Sequence, residues 1–284
     1  MADASPIGFD AEGMWDSLAA TWDARGDWHA RITHDLTTAM VDALAPSTGE
    51  TIIEVACGPT ADVAMEVARR LPTDVRLSAG DLSPRMVDAA RRRAEQRGVP
   101  ITFTTLDITA LALETGSVDG LAARWIYMLL PDPGQGLREA RRVLRRGGRL
   151  VFAVFGSPAQ NPFFTLPGSV LAERGLFELP APGKPSMFAL ADVGSTSKLL
   201  ESAGLAFASA DRIELSYRLS DADDLWSMVS EFSGPVSLAL RRQDTSDRAA
   251  IRTEIEQRAE KFRDGTGYAL PGLALVFTAT VPGD

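Results

Sequence analysis

The sequence is poor in the residues that carry most protein chemistry. Among 284 residues there is one cysteine, Cys57, and there are two histidines, His29 and His34. One thiol excludes an internal disulfide framework and a cysteine-rich metal site. It also makes a reducing, cytoplasmic setting the default expectation. The two histidines stand five positions apart, so they share no helical face, and no third ligand accompanies them. No metal site is expected. Apolar runs of about 18 residues are missing, so no membrane-spanning helix is expected. The opening "MADASPIGFDAEGMW" has neither the basic start nor the apolar stretch of a signal peptide. Positive charge is also in deficit. The formal net charge of -9 gives no electrostatic footprint for nucleic acid or an anionic membrane.

What is present is a rhythm. Residues 10–46 follow a helical period through Trp15, Leu18, Trp22, Trp28, Ile32, Leu36, Met40 and Leu44. Strands are then expected at 52–56, 75–81, 101–107, 118–124 and 149–155. Helices are expected between them at 62–71, 84–98 and 134–148, the last closed by Gly147 and Gly148. Strands alternating with helices predict a parallel sheet covered on both faces. Residues 157–190 break the rhythm with six prolines, yet they are too apolar for a solvated linker and read as a packed insertion. A helix at 191–204, a strand at 207–219, two helical stretches within 221–263 and a final strand at 273–281 complete the chain. The last strands lack a simple crossover helix, which suits an antiparallel final strand. The expected fold is α/β: a doubly wound, Rossmann-like sheet of seven strands, mostly parallel, with a helical cap. The expected division is an N-terminal cap at 1–35, a cofactor-binding core at 36–156, an inserted cap segment at 157–190, and a remainder at 191–284 with a helical insertion at 220–265.

Ligands of such sheets bind beyond the carboxyl ends of the strands, where strand order reverses. The residues expected there are Glu54 and Gly58, Asp81, Asp107, and Arg124 with Trp125. Asp81 follows Glu54 by 27 residues and can accept hydrogen bonds from a ribose diol. A dinucleotide would need a G-x-G-x-x-G turn, which "ACGPTADVA" does not supply. Two carboxylates in the cleft suit an adenosine without a pyrophosphate.

The motifs "EVACGPT", "GDLSPRMVDAA", "TLDI", "SVDGLAARWIYMLLPDP" and "LREARRVLRRGGRLVFAVF", in that order, resemble class I S-adenosylmethionine-dependent methyltransferases. The group most resembled is the ubiquinone/menaquinone type and its natural-product relatives, which act on small molecules. The resemblance implies S-adenosylmethionine as cofactor and methyl transfer to a small, largely apolar acceptor such as a ring, prenyl or polyketide-like metabolite. It places Glu54, Ala56, Gly58 and Thr60 along the cofactor loop, Asp81 on the ribose, Leu82 and Met86 on the adenine, Asp107 and Ile108 at the adenine edge, and Arg124 by the methionine moiety. Ala56 and Thr60 stand where the family has glycine. Thr60 at positive φ would be an outlier; as a helix cap it would be favoured.

Beyond the cofactor, His29 and Tyr127 are the candidate bases, against plain helix-surface and core roles. Trp15, Trp22, Trp28, Trp125, Asn161, Phe163 and Phe164 are candidate acceptor contacts, and equally candidate core. Cys57 reads as a small buried hydrophobe. A homodimer is one option for the assembly. Two other readings remain at this point: a cofactor-bound cyclisation or rearrangement without methyl transfer, and a non-catalytic partner subunit of the same fold.

Overall fold

A computed structural model describes residues 11–71, 75–181, 183–232 and 235–283. Expectations for residues 1–10, for 233–234 and for Pro182 lie outside these. Three helices open the chain: α1 (Ala11–Ala24), α2 (Gly26–Ile32) and α3 (His34–Leu44). The alternating part follows as β1 (Thr51–Val55), α4 (Asp62–Arg70), β2 (Arg76–Asp81), α5 (Pro84–Gln96), β3 (Thr102–Thr105), β4 (Val118–Arg124), α6 (Pro133–Val143) and β5 (Leu144–Phe155). The remainder is α7 (Pro162–Glu173), α8 (Val193–Ser202), β6 (Ala206–Leu219), α9 (Ala222–Ser227), α10 (Pro235–Arg241), α11 (Thr245–Ala259), the two-residue β7 (Arg263–Asp264) and β8 (Gly267–Thr280).

The sheet runs β3-β2-β1-β4-β5-β8-β6, with β7 paired to β8. Strands β1 to β5 pair in parallel, and β8 enters antiparallel between β5 and β6. Burial on both faces explains why β1 is apolar on both sides of Glu54: Ile52, Ile53 and Val55 are all sealed. One core lies where α3, α7, α9 and α11 cover the sheet. The other lies under α6 and α8, where Phe152 of β5 stacks on Phe277 of β8 at 5.1 Å.

Three boundaries differ from expectation. The strand expected at 101–107 is shorter, stopping at Thr105. The helix read as 134–148 ends at Val143, and Leu144 to Gly148 is already strand. Leu144 is buried opposite Val118, so sheet pairing draws the chain out of the helix before the glycines arrive. Gly147, at φ +71, then carries the bend, and Gly147 N–H and Gly148 O pair with Val281. The final strand begins at Gly267, not at 273, because β6 and β8 pair as a long antiparallel ladder reaching Leu219↔Tyr268, past the end of β5. That projection stands beside the carboxyl ends of the parallel strands.

Candidate active site

Strand order reverses between β1 and β4, so their carboxyl ends open the crevice of this fold. The turn after β1 enters the left-handed region three times, at Ala56 (φ +54), Gly58 (φ +57) and Ala61 (φ +45). Each alanine held there costs roughly 1–2 kcal/mol. Thr60 keeps a negative φ; the left-handed step falls one residue later, on Ala61. Nor does Thr60 cap α4, as was one expectation. Ala61 is the N-cap and makes no side-chain cap bond. Glu54 does that work from β1, accepting the Ala64 N–H at 2.8 Å. The Thr60 hydroxyl instead bonds Asp62.

Asp81, at the end of β2, ties this loop to the next strand. Its Oδ2 accepts the Gly58 N–H at 3.0 Å, and its Oδ1 accepts the Ser83 N–H at 3.0 Å. Burial pushes its carboxyl up, against the pull of those amides. A β-carbon built on Gly58 would meet nothing within 4 Å, so the loop faces open space there. Met86 is buried one turn into α5, Leu82 is half-buried, and Ile108 is buried beyond β3. Asp107 is exposed, and its Oδ1 accepts both the N–H (2.8 Å) and the hydroxyl (2.7 Å) of Thr109.

Arg124 ends β4 in a buried polar network. Its guanidinium donates to Thr33 Oγ1 and Thr37 Oγ1, both at 3.1 Å, and pairs with Asp62. Burial pushes the Asp62 carboxyl up, but the Arg124 charge and hydrogen bond hold it below the usual range. Burial drives Glu54 up to about 7 against the same guanidinium. His29 lies among these groups, 8% exposed. Burial, helped by the charge of Arg124, lowers it to about 3, against the pull of Asp62. The imidazole is therefore neutral at ordinary pH.

Helices α1 and α2 close over this edge. Asp16 accepts the Ser83 hydroxyl (2.8 Å) and the Arg85 N–H (3.2 Å) at the start of α5. Asp23 and Asp27 pair with Arg93 at 2.9 and 2.6 Å. Trp15 packs edge-on against Trp22, and Trp22 lies 5.7 Å from His29. On the far side Trp28, Phe163, Phe164 and Tyr217 form one aromatic group, with Phe163 stacked on Tyr217 at 4.4 Å. Trp125 stacks on Phe155 at 3.9 Å.

Two expected site residues are placed elsewhere. Tyr127 is 1% exposed in the other core, edge-on to Phe152, and burial raises its hydroxyl far above the usual range. It is a core residue, unsuited to act as a base. Asn161 is fully buried and spent on backbone, accepting the Leu273 N–H (3.0 Å) and donating to Ser157 O (3.1 Å). It anchors α7 to β8 and has no side-chain amide group left without a protein partner. Sequence reasoning missed Asp62, Thr33, Thr37, Asp16 and Tyr217. Asp62 looked like an ordinary first-turn acid of a helix, and Tyr217 like one more alternating strand residue. Only the position of Tyr217 near the end of the long β6 strand could have flagged it.

Residues 52–148 match the family described as a methyltransferase domain. This segment is a class I methyltransferase domain. It is the stretch that contains the Gly58 loop, Asp81 and Arg124. The demethylmenaquinone methyltransferase of Deinococcus radiodurans is 36% identical over 125 residues, which cover 44% of this chain and 51% of that enzyme. The chain thus spans about half the length of the curated relatives it matches. A putative methyltransferase from Bacillus halodurans superposes with a TM-score of 0.58 at 19% identity, over 87% of this chain and 98% of that one. The cyclase SpnF superposes with a TM-score of 0.58 at 17% identity, over 95% and 96%. Likeness at these identities is likeness of fold, and the fold alone does not separate the two reactions. Among the described residues no helix is long and apolar enough to cross a membrane.

Proposed function

We propose that this protein transfers a methyl group from S-adenosylmethionine to a small, largely apolar acceptor. The observation that carries the reading is the bond from Gly58 N–H to Asp81 Oδ2, inside the segment that matches the methyltransferase domain. It joins a left-handed glycine with open space before it to a buried carboxylate. Each Asp81 oxygen accepts one amide, which leaves lone pairs for a ribose diol. The Asp81 carboxylate disfavours a pyrophosphate beside it. The residues fit the cofactor. Glu54, Ala56, Gly58 and Thr60 would flank its amino acid end, with Arg124 beside it. Asp81, Leu82 and Met86 would hold the ribose and one adenine face, and Asp107 and Ile108 the adenine edge.

Bound there, the cofactor supplies an electrophilic methyl on a sulfonium. The chain then has to orient the acceptor in line and exclude water. Closure by α1 and α2 supports the exclusion. Trp15, Trp22, Trp28, Trp125 and Phe164 would offer the acceptor its apolar walls, backed by the buried core rings of Phe163 and Tyr217. His29, buried beside Asp62, is the candidate to take a proton from an acidic acceptor, and the burial that weakens it as a base works against that role. The quinone-pathway names of the relatives and the aromatic walls both support a ring-bearing acceptor.

The test is calorimetric titration of cofactor-free protein with S-adenosylmethionine, S-adenosylhomocysteine and NAD. Binding of the two sulfur compounds and not of NAD is expected. Failure of both to bind overturns the assignment.

A further inference from the structure

Trp125 follows β4 directly and is the bulkiest residue held at positive φ, at +63°. Aromatic side chains strongly disfavour that region, and such residues cluster at ligand sites. Its backbone N–H donates to Ala153 O at 3.0 Å, which holds the residue there. Its ring stacks on Phe155, centroids 3.9 Å apart and planes within 10°. Phe164 and Phe188 flank Phe155 at 4.7 and 6.4 Å. Yet the indole Nε1–H is sealed from solvent and has no hydrogen-bond partner. A buried donor left unmade is a cost. A phenyl ring would give the same stack without it. Packing therefore accounts for an aromatic residue here and leaves the indole nitrogen unexplained.

We propose that the Trp125 indole N–H anchors an oxygen of the acceptor. This rests on the methyl-transfer reading above and names one acceptor-positioning group for it. The position suits the role, because Trp125 adjoins Arg124 at the strand-order reversal, where cofactor and acceptor must meet. The neighbouring rings of Phe155, Phe164 and Phe188 offer a flat guest apolar faces and no competing donor. The N–H then fixes which edge of the ring turns inward. Admitting the oxygen requires those rings to part.

The test uses full-length protein with isotope-labelled indole groups, followed by NMR, with and without saturating S-adenosylhomocysteine. The probes are acetylnaphthalene, a flat ring with one carbonyl, and ethylnaphthalene, its counterpart without oxygen. One of the five tryptophan indole signals, the one missing in Trp125→Phe, should move downfield with the ketone and not with the hydrocarbon. Trp125→Phe should bind the ketone about tenfold more weakly and the hydrocarbon unchanged. Its melting temperature should fall only by the packing that the smaller ring gives up, and retained hydrocarbon binding shows that the site stays folded. Three results would each overturn the proposal: an unmoved Trp125 signal, equal ketone affinity in the variant, or a lower melting temperature with both probes lost. If S-adenosylhomocysteine itself does not bind, the methyl-transfer reading falls, and the arm without it still judges Trp125.

Discussion

Gly26 of α2 lies directly on Thr60 of the loop: a β-carbon at Gly26 would stand 2.8 Å from Thr60 Cγ2 and 2.9 Å from Arg93 Nη2. The arginine end can swing aside. The threonine methyl, buried between loop and helix, cannot. Gly26→Ala should therefore cost about 1–3 kcal/mol through overpacking. Adding Thr60→Ser removes the opposing methyl and should restore most of the loss. Thermal denaturation of both variants decides the matter; an undiminished Gly26→Ala would show that α2 does not sit this tightly.

Asp81 joins the Gly58 loop to the end of β2. Asp81→Ala should weaken S-adenosylmethionine binding about a hundredfold or more, because charge-assisted hydrogen bonds to two amides and to the diol vanish together. Calorimetry on the folded variant reads the change directly. Unaltered affinity would remove Asp81 from the cofactor site.

The Arg124–Asp62 pair is buried at the meeting of β4 and α4. Asp62→Ala strands the guanidinium with only Thr33 and Thr37 as partners, and should destabilise the fold by about 3–5 kcal/mol. Combining it with Arg124→Met removes the stranded charge and should recover much of that stability. Chemical denaturation of the single and double variants tests the coupling. Additive losses would mean that the two side chains act independently.

Stability should respond to pH below neutrality in two opposing senses. The Glu54 carboxyl is raised from 4.5 to about 7 in the folded chain, so the unfolded chain ionises first. Its contribution is complete below pH 4.5 and is lost as pH climbs to 7, by roughly 3 kcal/mol. His29 works in the opposite sense: lowered from 6.5 to about 3, its contribution is complete above 6.5 and is lost as pH falls towards 3. Denaturation series on Glu54→Gln should lack the first loss, and on His29→Gln the second. Profiles parallel to the parent would show that neither group is held in its neutral form.

The alternation of strands and helices was legible because apolar runs and turn residues record it locally. The acidic residues after the strands were legible for the same reason: Asp81 closes β2, and Asp107 follows β3 by two residues, just where the chain must turn. Boundaries set by partners far along the chain were not. Leu144 left its helix to pair with Val118, and β8 lengthened to match β6. The loop shows the same limit. Nothing local says that Ala61, and not Thr60, takes the left-handed step, since that depends on Gly26 pressing on Thr60 and Glu54 capping α4.

Sequence alone thus determined the α/β architecture, the order of the parallel strands' chemistry and the residues at their carboxyl ends, because these follow from periodicity, turn propensity and motif order. Tertiary structure decided which of those residues share a network. It buried His29 and Arg124 with Asp62, sent Tyr127 to the opposite core, spent Asn161 on backbone, and left the Trp125 indole without a partner. Burial and partnership are properties of groups brought together from distant segments, and those properties set charge state and hydrogen-bond availability in this site.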